Sequence, residues 1–138
     1  MGGRGAKSKS ADLSYQGKNG GSGRATSSGV SFVEELGRID AMGQRSPKLR
    51  DTTPNEVFAQ LEAARNGAGH VTVYRATTGD AINNGDWVFL SFEQADRFAR
   101  KRFNPGEYRP GYKVLSERLP VRRVHWTGKN YEFMKVGG

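Results

Sequence analysis

Sizeable apolar residues are nearly absent from the first 29 positions of the chain and then recur in two rhythms. In MGGRGAKSKSADLSYQGKNGGSGRATSSG only Leu13 and Tyr15 stand out as apolar. That is too little to offset the entropy of ordering the segment, so 1–29 is expected to be a disordered basic arm. In VSFVEELGRIDAMGQRSPKLR, residues 30–50, Val30, Phe32, Val33, Leu36 and Ile39 outline a short amphipathic helix ending near Gly43. The next helix is better marked. Thr53 reads as its N-cap, Pro54 as its first residue and Glu56 as the partner of a capping box, while Val57, Phe58, Leu61 and Ala64 keep helical spacing up to Gly67.

The period then changes to two. HVTVYRA, from His70, alternates as a strand does, and TTGDAINNGD is turn-rich, with Asn84-Gly85-Asp86 at its tip. WVFLS, Trp87 to Ser91, is a second strand, and Ser91 with Gln94 reads as a capping box for a helix burying Ala95, Phe98, Ala99 and Phe103. After the loop NPGEYRPG, the segments YKVLSERLP, VRRVHW and NYEFMKV follow as strands too closely spaced for helical crossovers. The expected architecture is α+β, a mostly antiparallel sheet or split sandwich flanked by short helices. Residues 30–138 form one domain behind the arm.

Composition changes this picture little. The hydrophobic fraction is 35% and there are 19 glycines, both departures coming largely from the arm. Charge changes it more. The net charge is +8, to which Arg4, Lys7, Lys9, Lys18 and Arg24 against Asp12 contribute +4. In the folded part, Arg97, Arg100, Lys101 and Arg102 form a basic run and Arg122–Arg123 a basic pair. Such a balance favours polyanions such as nucleic acid, an acidic protein partner or an anionic small ligand, although the 97–102 run also fits the solvated face of a helix. The arm lacks the apolar run of a signal peptide, and no stretch is long enough to span a bilayer, so no membrane partner is expected. Without cysteine there is neither a disulfide, a thiolate metal site nor a thiol nucleophile.

Candidate chemistry is dispersed. His70 and His125 lie far apart and have no HxxxH spacing, and no GxxxxGK[ST] loop is present, so neither a metal centre, a Ser-His-Asp triad nor a P-loop has a local signature. What remains is Arg75 on the first strand, Ser91 at a strand-to-helix junction and Glu132 in the last strand. A guanidinium inside a strand needs a partner, for which Asp80 and Asp86 in the following turn are candidates.

Together, VYRAT, INNGDWVFLSFEQADRFA and YKVLSERLPVRRVHWTGKNYEF resemble an ADP-ribosyltransferase domain, most of all the small versions in phage and prophage proteins. The resemblance covers about residues 70–136 and implies an ADP-ribosyltransferase-like split antiparallel β-sandwich with NAD as co-substrate. It also implies that Arg75 holds the pyrophosphate or adjoining ribose, that Glu132 stabilises the oxocarbenium-like ribose left as nicotinamide departs, and that Ser91 orients the carboxylate. Tyr74, Trp87, Phe92 or Tyr131 would pack on the nicotinamide ring. The chain departs from the family where Phe89 replaces the first Ser of a Ser-x-Ser pair, and where Asn130 occupies the acceptor-selecting position two before the Glu, which does not support an Arg acceptor. The implied acceptor is a host macromolecule in the bacterial cytoplasm, with virion association as the alternative location. A catalytically silent version of the same fold would instead serve as a basic binding or inhibitor module through the arm and Arg97, Arg100, Lys101 and Arg102. A nuclease pairing Glu132 with His125 has the spacing but no motif.

Overall fold

Ser31 caps the first element, a 3-10 turn at Phe32–Glu35, by accepting a hydrogen bond from the Val33 amide, and donates one to the Val121 carbonyl at 2.8 Å. The computed structural model describes residues 27–101 and 106–137, so most of the expected arm lies outside the described residues. After the turn come α1 (Leu36–Arg45), α2 (Pro47–Thr52), α3 (Asn55–Arg65), β1 (His70–Thr77), β2 (Trp87–Val88) and α4 (Phe92–Ala99). β3 (Lys113–Pro120), a second 3-10 turn (Val121–Arg123), β4 (Val124–Trp126) and β5 (Phe133–Lys135) complete the α+β order.

The helices differ from the pattern: α2 is not among the expected elements, α4 ends at Ala99, and two boundaries have a clear local cause. The single helix expected to end near Gly43 is a 3-10 turn followed by α1, which passes through Gly43 to Arg45. Gly43 is tolerated inside the helix because the Tyr131 hydroxyl packs where a side chain would begin. The capping box expected at Thr53 does not form. Thr53 donates its hydroxyl to the Leu49 carbonyl at 2.7 Å, Pro54 takes the cap position of α3, and Glu56 turns outward to other elements. The end of α2 thus wins the hydroxyl that sequence alone assigns to α3. Gly67 does stop α3: at φ +97° it lets its own amide reach Ala64 and the Ala68 amide reach Ala63, closing both carbonyls as in a Schellman motif.

β1 and β3 pair antiparallel from His70↔Pro120 to Thr77↔Lys113. The second sheet has the order β2-β5-β4, also antiparallel. The expected strand Trp87–Ser91 is divided between the two sheets. Trp87 and Val88 pair with β5, whereas Phe89 exchanges two 2.8 Å backbone hydrogen bonds with Tyr74 of β1. Next along this edge, the Gln60 side chain from α3 takes the place of a strand. Its Nε2 donates to Thr72 and Leu90 carbonyls at 2.6 and 2.9 Å, and its Oε1 accepts from the Thr72 amide at 2.8 Å. VRRVHW begins as a 3-10 turn rather than a strand, and NYEFMKV is strand only from Phe133, because Asn130 takes φ 50°.

The core brings these pieces together. Phe32 and Phe133, both fully buried, meet edge to face at 5.6 Å, amid Ile39, Val57, Val73, Val88, Leu90 and Val124. Burying a side chain of this class contributes roughly 1.5–3 kcal/mol. Tethered by these contacts, β1 holds Val71, Val73 and Arg75 on one face at alternate positions.

Candidate functional site

Arg75 lies four residues beyond Val71 on that face, and its side chain is only 11% exposed. Nη1 donates to the Trp87 carbonyl at 2.7 Å. Nε lies 3.4 Å from Asp86 Oδ2, near enough for an ion pair but not aligned for a hydrogen bond. Of the two expected carboxylates, Asp86 is therefore the partner, and Asp80 pairs with Lys113. Asp86 is fixed in turn, since the same Oδ2 accepts the Asn83 amide at 2.8 Å across a turn made possible by Gly85 at φ +91°. Burial pulls the Arg75 pKa down, while Asp86 and Tyr112 act to raise it. Nε is buried without a hydrogen-bond partner among the described residues.

The guanidinium lies against a cleft of about 390 Å³ lined by Arg75, Thr77, Thr78, Asp80, Asn83 and Asp86 among others. Tyr112, which acts on Arg75, is itself covered by Arg109, which stacks on Tyr112 at 4.0 Å and on Phe98 at 5.1 Å and donates to the Phe98 carbonyl. Arg109 and Tyr112 were not apparent from the pattern, because loop residues carry no period. A second polar pair also escapes the pattern: Lys135, buried in β5, donates to Glu117 of β3 and to the Ile82 carbonyl, both at 2.8 Å, and joins the two sheets. Its only sequence signal is a lysine within an otherwise apolar Phe133–Lys135 strand.

The other predicted residues have definite places. Ser91 is fully buried, and its Oγ accepts the Gln94 amide at 3.3 Å as the N-cap of α4. Glu132 precedes β5 rather than lying in it; Asn130 Nδ2 donates to its carboxylate at 3.4 Å. Neither Ser91 nor Glu132 lines the Arg75 cleft. Trp87 is joined to Arg75 through its carbonyl. Tyr74 follows the opposite parity along β1, with its hydroxyl on Glu56 at 2.9 Å and its ring edge-on to the exposed Phe92 at 6.0 Å. Glu56 also accepts the Phe92 amide at 3.0 Å, so the residue expected to cap its own helix supports the start of α4 instead.

The basic run expected on one helix has only Arg97 on α4, with Arg100 and Lys101 beyond its end, and it is neutralised where it is described. Arg97 pairs with Glu93, Arg100 with Asp96 at 2.9 Å, and Lys101 with Glu107 at 3.4 Å. Arg102 and Phe103 lie outside the described residues. His125 and Trp126 at the end of β4 are satisfied by Ser27 and by the Asn130 carbonyl. Among the described residues no helix is long and apolar enough to cross a membrane. No family model matches the chain, and no curated protein or solved structure is significantly similar to it.

Proposed function

We propose that the domain is of the phage-type ADP-ribosyltransferase class, using NAD as co-substrate to modify a host macromolecule, with Arg75 as the cofactor anchor. The observation that carries this reading is Arg75 itself: a guanidinium on a stiff strand, held by Nη1 on the Trp87 carbonyl and ion-paired to Asp86, that lines an open cleft. Asp80, Asn83 and two threonines share that cleft, so it suits a ligand combining a phosphate with sugar hydroxyls better than a bare anion. Cleavage would break the bond between ribose C1′ and the nicotinamide nitrogen, the electron pair leaving with nicotinamide. An acceptor nucleophile then forms the new bond at C1′ and loses its proton. Glu132 would stabilise the developing positive charge; since it does not line the Arg75 cleft, NAD would have to extend beyond the cleft to reach it.

The alternative is the silent form, in which the fold binds without turning over. Two observations favour it: Ser91 is fully buried beneath the start of α4, and Phe89 occupies the position of the missing serine with its ring 6.2 Å from Phe98. Calorimetric titration with NAD, followed by an assay for released nicotinamide, separates the two. The enzyme reading expects binding, nicotinamide release, loss of release in Glu132→Gln, and affinity about tenfold weaker in Arg75→Lys, which loses the forked geometry. Binding without release supports a silent form that retains the ligand, and failure of the wild type to bind NAD overturns the enzyme reading while leaving the silent basic binding module for nucleic acid or an acidic protein partner. Melting curves of each variant show that the fold is intact.

A further inference from the structure

A second cleft, of about 230 Å³, lies between α1 and the end of β4, lined by Arg38, Ala41, Met42, Arg45, Trp126 and Gly128. Its floor is apolar and its rim is cationic. Arg38 and Arg45 are seven residues apart on one helix, two turns or about 10 Å along the axis, and so share a face. The Arg38 guanidinium lies over the Trp126 ring at 5.5 Å and is held by Glu35, yet its side chain remains 69% exposed. Arg45 is exposed and has no ion-pair or hydrogen-bond partner among the described residues, in contrast to the neutralised Arg97, Arg100 and Lys101. Lys129 follows Gly128 directly.

The basic N-terminal segment joins the domain close by. Glu35 accepts from Ser28 at 2.7 Å with one carboxylate oxygen and from Arg38 with the other, so the chain enters one side chain away from the cleft. Five cations and a single acid precede that point in the sequence.

We propose that this α1–β4 cleft binds single-stranded nucleic acid, with Arg45 on one phosphate, Arg38 shared between Glu35 and a second, and a base or sugar edge against Ala41 and the exposed margin of Met42 and Trp126. Two cations flanking an apolar floor fit a strand whose bases are free to turn inward. A duplex would meet the rim and leave the floor unused. The site is independent of NAD and stands whether or not the Arg75 cleft holds that ligand.

The test is fluorescence anisotropy on the full chain with a labelled single-stranded oligonucleotide, in RNA and DNA versions, and the matching duplex. Arg45→Gln should weaken single-strand binding about fivefold at about 0.1 M salt and lower the slope of log affinity against log salt by about 0.7, the loss of one phosphate contact. Ala41→Trp, which fills the cleft, should also weaken binding, while Arg97→Gln should leave it unchanged. NAD titration of the same variants should match the wild type. The proposal is overturned if the oligonucleotide does not bind. It is equally overturned if Arg45→Gln and Ala41→Trp bind like wild type, which would assign binding to the arm alone, or if the duplex binds as tightly as the single strand.

Discussion

A Cβ added at Gly43 would stand 2.3 Å from the Tyr131 hydroxyl oxygen but 3.5 Å from Cζ of the same ring. The glycine is therefore required by one atom of a neighbour, and Gly43→Ala is expected to cost about 1–3 kcal/mol as an overpacking change despite alanine's better helix propensity. Tyr131→Phe removes that atom and should restore most of the loss in the double variant. Chemical denaturation of the four proteins measures this, and additive effects would disprove the contact. Asn130 has a similarly local explanation. At φ 50° it occupies the left-handed region that Asn tolerates better than other side chains. Asn130→Gly should leave stability nearly unchanged and Asn130→Ala should cost about 1 kcal/mol. An acceptor-selecting role would instead appear as altered acceptor labelling in Asn130→Gly at unchanged stability.

At the scale of elements, α4 shows how a helix of eight residues is held at its start. Ser91 accepts the Gln94 amide, and Glu56 from α3 accepts the Phe92 amide, so two of the helix's orphan amides are satisfied from different parts of the chain. Ser91→Ala should cost about 1 kcal/mol through the lost cap. Glu56→Ala should cost about 1–3 kcal/mol, since it removes a charged acceptor from both the Phe92 amide and the Tyr74 hydroxyl. Urea denaturation of the single and double variants would show coupling, because both act on one helix turn. These elements also show what a one-dimensional pattern can carry. Ser91 is legible as an N-cap because capping is local, but the reciprocal half of the expected box does not form, Gln94 Oε1 being buried without a hydrogen-bond partner among the described residues. Glu56 was misread because its partners, Tyr74 and Phe92, lie 18 and 36 residues away. The His70–Thr77 strand was legible from alternation, whereas the passage of Trp87–Phe89 from one sheet to the other depends on β5 and leaves no trace in those residues. The same holds for the site. Arg75 stands out because charge is rare on such a strand, and Asp86 lies in the turn that follows it, but the stacking of Arg109 on Tyr112 sits in a loop without a period and the Lys135–Glu117 pair arises only when separate strands meet.

For the molecule as a whole, protonation sets a window of stability. Tyr74 is pushed up by burial and then by Glu56, Tyr131 chiefly by burial, and Tyr108 first by its hydrogen bond to Asp96. A phenol with a raised folded pKa keeps its proton longer in the native state than in the unfolded chain, where it ionises near 10. The contribution is complete below about pH 10 and is lost as pH rises through the raised native values, because the native state then binds more protons than the unfolded one. Asp80 and Asp96 act in the opposite direction. Hydrogen bonds from Lys113 and Arg100 hold them low, so their contribution is present above the ordinary carboxylate range near 4 and fades as pH falls through the lowered values. Asp80 is exposed and Asp96 half-buried, so the Asp80 part of the acid limb should be shallow and screened by salt, whereas the alkaline limb should persist in salt. Urea midpoints should be flat through neutrality and fall beyond about pH 10, with Tyr74→Phe reducing that fall. Native phenolate absorbance should lag behind that of the urea-unfolded chain over the same range. Coincident titration of the five tyrosines in the two states would remove this account of the alkaline limb, since the linkage requires that folding itself withhold protons from the solvent.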